Sequence, residues 1–314
     1  MALLSTFATL SFVLNPTLLL PQGIGFAIAK GLLKAGYFVF LGSRDVSRGE
    51  VAVKALVAEE PKFSNAVQLL QLDVTDANSI NSAVETVRES CAKGGTSLVG
   101  LVNNAGGGDL TESGGSFHDG LKKTLDLNVK GVMSTTTAFL PLLDQEEGRV
   151  VMVSSSSGPS FVQSCTPERQ RMLCDPNITL DQINGLMDEC LSLTGDIEQQ
   201  LRSMGLPSSG NMFSYGLSKA CVNAYTQLLA REHSNLRINA CTPGFIATDL
   251  TKPYAVASGQ TTAELGMKST DDGAKVPVYL MTGDLPGNGR YYGSDGLRSP
   301  LDRYRSPGDP EYTD

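Results

Sequence analysis

Short apolar runs alternate with longer stretches in which apolar residues return every three or four positions. The short runs are Phe38 to Leu41, Val67 to Leu72, Leu98 to Val102, Val150 to Val153 and Arg237 to Cys241. Continuous rather than alternating, they predict strands buried on both faces, as in a parallel sheet. Ala77 to Cys91 shows the other rhythm. Ile80, Val84 and Val87 share a helical face there, and Asp76 stands before the run as an N-cap. Strand and helix patterns in this order predict an α/β fold built from βαβ units.

Two regions break the rhythm. Between Ser160 and Gly210 no strand-like run occurs. Thr166 with Pro167 at the first helical position predicts one helix start. Thr179 with Gln182 predicts a capping box before Ile183, Leu186, Met187, Cys190 and Leu191. That apolar stripe reads as a docking face, and the segment as an inserted helical subdomain. Low complexity is confined to the serine run Ser154 to Ser157 and to a Pro/Ser/Asp-rich tail after Ser299, expected to be loop or frayed. The second break is the head. No charged residue occurs before Lys30, and the first twenty residues are mostly apolar. Asn15 and Pro16 interrupt them, so the stretch falls short of the roughly 18 apolar residues a membrane span needs. It carries neither the basic start of a secretory signal nor the arginines of a transit peptide, which leaves at most a weak targeting signal.

Composition narrows the classes. At 314 residues the chain can bury a large core without staples. Its net charge of −8 argues against nucleic-acid partners and anionic membranes. The cysteines Cys91, Cys165, Cys174, Cys190, Cys221 and Cys241 form no CxxC pair, which predicts reduced thiols, a cytoplasmic protein and no metal site.

Candidate chemistry centres on Tyr215-Gly216-Leu217-Ser218-Lys219, which sets a phenol and an ammonium four apart on one helical face. A nearby cation stabilises a phenolate, so Lys219 is expected to lower the tyrosine pKa from its usual value of about 10. Further signals stand at expected strand ends, where open α/β sheets bind ligands. They are Asp73-Val74, Asn103-Asn104-Ala105-Gly106, Ser154-Ser155 and Pro243-Gly244. Gly23-Ile24-Gly25 opens an apolar helix through Ile28, Leu32 and Leu33 and resembles the end of a dinucleotide-binding turn. After the second strand comes Ser43-Arg44-Asp45, with Arg48 one turn later. An arginine here favours a ribose 2′-phosphate, so NADP(H) is expected over NAD, unless Arg44 and Asp45 merely cap the next helix.

Taken in order, the NNAG at Asn103, Ser155, the YxxxK at Tyr215 and the PG at Pro243 resemble the short-chain dehydrogenase/reductase superfamily, from about Gly23 to about Arg298. Sixty positions separate Ser155 from Tyr215, a long interval that resembles the carbonyl reductase branch, with its helical insertion before the tyrosine. The resemblance implies a Rossmann-type doubly wound parallel sheet with a helical insertion. It implies one domain over 23–298, with the insert at about 160–210 and a tail at 299–314. It also implies a monomer acting on a small-molecule carbonyl substrate. Tyr215 would be the general acid, Ser155 a donor to the same carbonyl, Lys219 the holder of the nicotinamide ribose, and Asn128 the family asparagine of the proton relay. Gly23, Ile24, Gly25, Arg44, Arg48, Asp73, Val74, Asn104, Ala105, Gly106, Pro243 and Gly244 would line the cofactor with Tyr215 and Lys219.

The chain departs from the family at its first turn. Where TGxxxGxG is expected, Leu18 and Leu19 replace Thr and Gly, and only Gly23 and Gly25 remain. In register the first strand would be Phe12 to Thr17 and would contain Pro16, or it would slip to Thr17–Leu20. Residues 1–22 therefore read as an atypical segment, from an alternative first exon or a degenerate phosphate site. Besides a carbonyl reductase, the sequence permits an alcohol dehydrogenase running in reverse and a non-catalytic scaffold.

Overall fold

Residues 10–14, 23–108, 116–210, 212–285 and 287–313 are described by the structure, a computed structural model. In chain order the elements begin with β1 (Leu10–Leu14), α1 (Ile24–Lys34), β2 (Phe38–Ser43), α2 (Val46–Glu59), β3 (Val67–Gln71), α3 (Ala77–Gly94) and β4 (Leu98–Asn103). Then come α4 (Phe117–Leu125), a π-helical turn at Asp126–Lys130, α5 (Gly131–Phe139) and β5 (Arg149–Val153). Four short helices come next: α6 (Ser157–Gln163), α7 (Pro167–Cys174), α8 (Leu180–Leu191) and α9 (Ile197–Ser203). The chain continues through α10 (Phe213–Glu232), β6 (Arg237–Cys241), α11 (Lys252–Ser258), α12 (Thr270–Thr282), β7 (Tyr291–Tyr292) and β8 (Arg298–Ser299).

The strands form one sheet in the order β3-β2-β1-β4-β5-β6-β7-β8, parallel except for the β7–β8 pair. The order reverses between β1 and β4, and that switch point places a crevice at the strand carboxyl ends. Alternate side chains of one strand feed opposite cores, as the two-residue period requires. Val150 and Met152 of β5 pack in the cluster with α3, α10 and the 160–210 helices, while Val151 and Val153 pack with α1 and α12. Each such side chain, once fully buried, contributes on the order of 1.5–3 kcal/mol of hydrophobic stabilisation.

The first strand differs from its expected position. The paired residues are Leu10–Leu14, in register with Phe38–Gly42 of β2, rather than Phe12–Thr17 or Thr17–Leu20. Proline has no N–H for the ladder, so a central strand ending before Pro16 keeps its pairing intact. Leu18 and Leu19, and the question of the turn they occupy, lie outside the described residues.

Elsewhere local signals act as expected. Asp76 caps α3 by accepting from the Asn78 N–H at 2.9 Å. Thr179 and Gln182 form the reciprocal capping box of α8, and Ile183, Leu186, Met187 and Cys190 behind it are buried. Thr166 differs: Pro167 opens α7, but no side-chain cap bond forms from Thr166. The tail after Ser299 lacks regular elements yet is tied down rather than frayed. Arg305, almost wholly buried, donates from Nε to Ser299 Oγ at 3.0 Å and pairs with Asp295, and Arg298 and Arg303 lie against the Tyr312 ring. Among the described residues no helix is long and apolar enough to cross a membrane.

Candidate active site

Three segments meet beyond the ends of β4 and β5. The first is the π turn. An extra residue per turn bulges the helix, and such bulges gather at functional sites. Asn128 sits inside it, fully buried. Its Nδ2 donates to Gly107 O at 2.8 Å and to Ser218 Oγ at 3.0 Å, while its Oδ1 accepts from Gly107 N at 2.9 Å. One amide thus satisfies both backbone groups of Gly107 in the loop after β4 and reaches across to α10.

The second segment follows β5. Ser155 Oγ accepts from Ser157 N at 3.1 Å, lies 3.2 Å from Ser157 Oγ, and is hydrogen-bonded to the Tyr215 phenol. Ser155 has a single hydroxyl proton, so it serves either Ser157 or the phenol side at one time. Ser154 is buried beside the cluster: its N–H donates to Cys241 O at 2.8 Å, completing the β5–β6 ladder, and its Oγ donates to Lys219 O at 3.4 Å. The third segment is the start of α10, which carries Tyr215, Ser218 and Lys219. Lys219, 4% exposed, donates to Val153 O at 3.1 Å, and its Nζ stands 5.5 Å from the Tyr215 ring centroid.

The electrostatics differ from the sequence expectation. Burial raises the Tyr215 phenol above its usual range, opposed by the Ser155 hydrogen bond, and burial lowers the Lys219 ammonium to about 8. Desolvation disfavours the charged form of each group, so it acts in opposite directions on an acid and a base. The expected lowering of the tyrosine by Lys219 is therefore not what the site shows.

Backbone without side chains closes the loop over this cluster. A Cβ on Gly106 would lie 3.2 Å from Lys219 Nζ, and one on Gly108 would lie 3.0 Å from Tyr215 Cδ2. Asn104 adjoins the cluster through the same loop, and Ala105 is buried in the core beneath it. Asp73, two residues past the end of β3, accepts from both the N–H and the hydroxyl of Thr75, at 2.9 and 2.7 Å. Val74 packs tightly against Gly131.

The other expected positions form a floor. Gly23 precedes α1 in extended conformation and has no side chain to cap it, and among the described residues no side chain accepts from the first N–H groups of that helix. Ile24, Ile246 and Gly273 meet there, and Gly25 is buried. Gly244 has φ +93° and would meet Ser294 at 3.0 Å with a Cβ, so the turn after Pro243 needs a glycine. Asp45 is consumed as the N-cap of α2, accepting from Arg48 N at 2.9 Å. Arg44 is exposed and makes no ion pair among the described residues, and the Arg48 side chain likewise.

Sequence reasoning missed several contributors. Ser157 was hidden in what reads as a low-complexity serine run, Ser218 inside the YxxxK motif, and Gly107 and Gly108 behind the NNAG. The run of three glycines was the available signal, because backbone pressed against a phenol and an ammonium leaves no room for Cβ atoms.

Comparison with known proteins identifies the family. The family model for short chain dehydrogenases matches residues 20–166. Carbonyl reductase (NADPH) 1 of Homo sapiens is 34% identical over 268 residues, covering 82% of this chain and 87% of that protein. The solved structure of salutaridine reductase from Papaver somniferum superposes with a TM-score of 0.71 at 26% identity, covering 90% of this chain and 99% of that one. Menthone neomenthol reductase from Mentha piperita gives a TM-score of 0.67 at 23% identity, over 91% and 98% of the two chains, and shares the fold. With its parallel sheet, its Ser155, Tyr215 and Lys219 cluster and these relatives, the chain belongs to the short-chain dehydrogenase/reductase family.

Proposed function

We propose that this protein reduces aldehyde and ketone carbonyls to alcohols with NADPH, as a single-domain monomer of the cytoplasm, with Tyr215 as general acid. The carrying observation is the buried Lys219. Its ammonium has three donors and, among the described residues, one acceptor, Val153 O, so two donors are left for a ligand beside Tyr215. A pair of vicinal ribose hydroxyls matches that need, and the missing Cβ of Gly106 leaves them space. The start of α1, where no described side chain accepts from the first N–H groups, suits a pyrophosphate, and Arg44 and Arg48, exposed and without an ion pair among the described residues, suit a 2′-phosphate. The residues therefore fit NADP(H), in line with the name of the human relative.

NADPH, when bound, supplies the hydride received by the substrate carbonyl carbon. Tyr215 passes its phenolic proton to the carbonyl oxygen as negative charge develops there. Ser155 donates to that same oxygen, its orientation fixed by the Ser157 N–H. Asn128 holds the Gly107 loop against α10 and so keeps the roof of the site in place.

Fluorescence titration with NADPH and turnover of diacetyl test the reading. Saturable quenching with oxidation of the cofactor is expected. Absence of saturable binding would return the protein to the scaffold reading that Leu18 and Leu19 motivate.

A further inference from the structure

We infer that the cavity between α6 and the approach to α10 holds the distal part of the carbonyl substrate and selects neutral, hydroxyl-bearing ring systems over charged ones. The inference rests on the reductase reading of Tyr215. The cavity has a volume of about 450 Å³, in the range of small-molecule sites. One wall is hydroxylic, formed by Ser156, Ser157 and Ser160, and the other is aromatic, formed by Phe161 and Phe213. The two rings stand edge to face, 5.5 Å between centroids at 70°, and Phe213 also packs on Phe117 at 5.6 Å. This wall is fixed from behind, because a Cβ on Gly216 would lie 3.1 Å from Phe161.

Continuity with the reacting centre comes through Ser157. It lines the cavity and bonds Ser155, which in turn bonds the Tyr215 phenol. A ketone whose oxygen sits between Ser155 and Tyr215 therefore extends its substituent past Ser157 into this space. The hydroxyls there are not equivalent. Ser164 turns back to Ser160 O at 3.1 Å, and Ser157 is engaged with Ser155. The Ser156 and Ser160 hydroxyls have no partner among the described residues, so each offers a donor and an acceptor to a ligand. None of the described residues lining the cavity is charged. A carboxylate entering it would lose hydration with no cation to replace it, whereas a neutral hydroxyl would find partners and an aromatic ring a complementary face.

The test compares kcat/KM for diacetyl, α-tetralone, and its ring-hydroxylated and ring-carboxylated derivatives. If the wild-type protein reduces none of them, the reductase reading itself fails and the cavity assignment goes with it. If it reduces diacetyl, the hydroxylated tetralone should exceed the plain one by about 3- to 10-fold, the worth of one neutral hydrogen bond. The carboxylated one should fall at least about 10-fold below the plain ketone. Ser160→Ala should bring the hydroxylated-to-plain ratio close to one. Ser160→Trp, which fills the cavity, should lower the tetralone-to-diacetyl ratio at least about 10-fold, through KM rather than kcat. Ratios unmoved by both variants, or a carboxylated ketone used as well as the hydroxylated one, would overturn the assignment while leaving the reductase reading standing.

Discussion

At the catalytic end of the cleft, Asn128, Ser155, Ser157, Tyr215, Ser218 and Lys219 hold one another, or the loop above them, through hydrogen bonds of which those to Asn128 and Ser155 measure 2.8 to 3.2 Å. At the other end, Arg44 and Arg48 are exposed and make no ion pair among the described residues. The first region is ordered before any ligand arrives, and on the proposed reading its polar groups are aimed where charge would develop. The second is positive and exposed, and on the same reading an incoming phosphate would order it. Preorganisation is where transition-state stabilisation comes from, whereas recognition of a dianion in water tolerates mobile partners. Loss of one residue at the first end should therefore cost rate, and loss of one at the second should cost affinity and cofactor choice.

The sharpest break is Tyr215→Phe, expected to lower kcat by about a hundred- to ten-thousand-fold while NADPH affinity changes little. Turnover and quenching titrations on one preparation check it, and retained turnover would remove Tyr215 as the acid. Next is Asn128→Ala, which strands the Gly107 N–H and carbonyl. A stability loss of about 1 to 3 kcal/mol is expected, together with a fall in kcat as the loop loosens. Thermal unfolding and kinetics would read both, and a variant equal to wild type in both would mean that the π turn is not what orders this end. Arg44→Glu should cost about tenfold in NADPH affinity and leave NADH affinity nearly unchanged, since one charged contact is removed from the 2′-phosphate alone. Unchanged preference would move the phosphate away from the end of β2.

The smallest effect is a pH dependence. Lys219 titrates at about 8, below the usual lysine value, so its charge is complete only below that pH. NADPH affinity should weaken several-fold as pH rises through 8 to 9, and Lys219→Arg should flatten the slope. The stability sign is the reverse. Between about 8 and the ordinary lysine value of 10.5, the unfolded chain retains a proton that the folded one has released. Cofactor-free protein should thus gain stability with rising pH across that window from this group, visible in denaturant titrations.

Much of this protein was legible in one dimension. Five strands and the α8 capping box follow from apolar runs and cap residues within a few positions of each other, because a buried parallel strand needs side chains for both faces and a helix end needs an acceptor for its free N–H groups. Tyr215 and Lys219 were legible for the same reason, as four residues is one helical turn. The position of β1 was not, since the head lacks the usual alternation of strand and turn signals and Pro16 alone set its limit. Nor was Ser157, whose role depends on Ser155 turning its hydroxyl toward α10, and the tail was read only by composition until Arg305 was seen folded inward.

The sequence by itself determined the βαβ order, the insertion and the identity of the candidate reacting side chains, all of which depend on neighbours within a turn or a strand. Only the tertiary structure decided that Asn128 bridges Gly107 to Ser218, 90 positions further along the chain, that Asp45 caps a helix and leaves Arg44 free, and that Tyr215 is raised rather than lowered. Those outcomes depend on which groups lose water and which partners approach through space, and desolvation is a property of the packed molecule rather than of any segment of its chain.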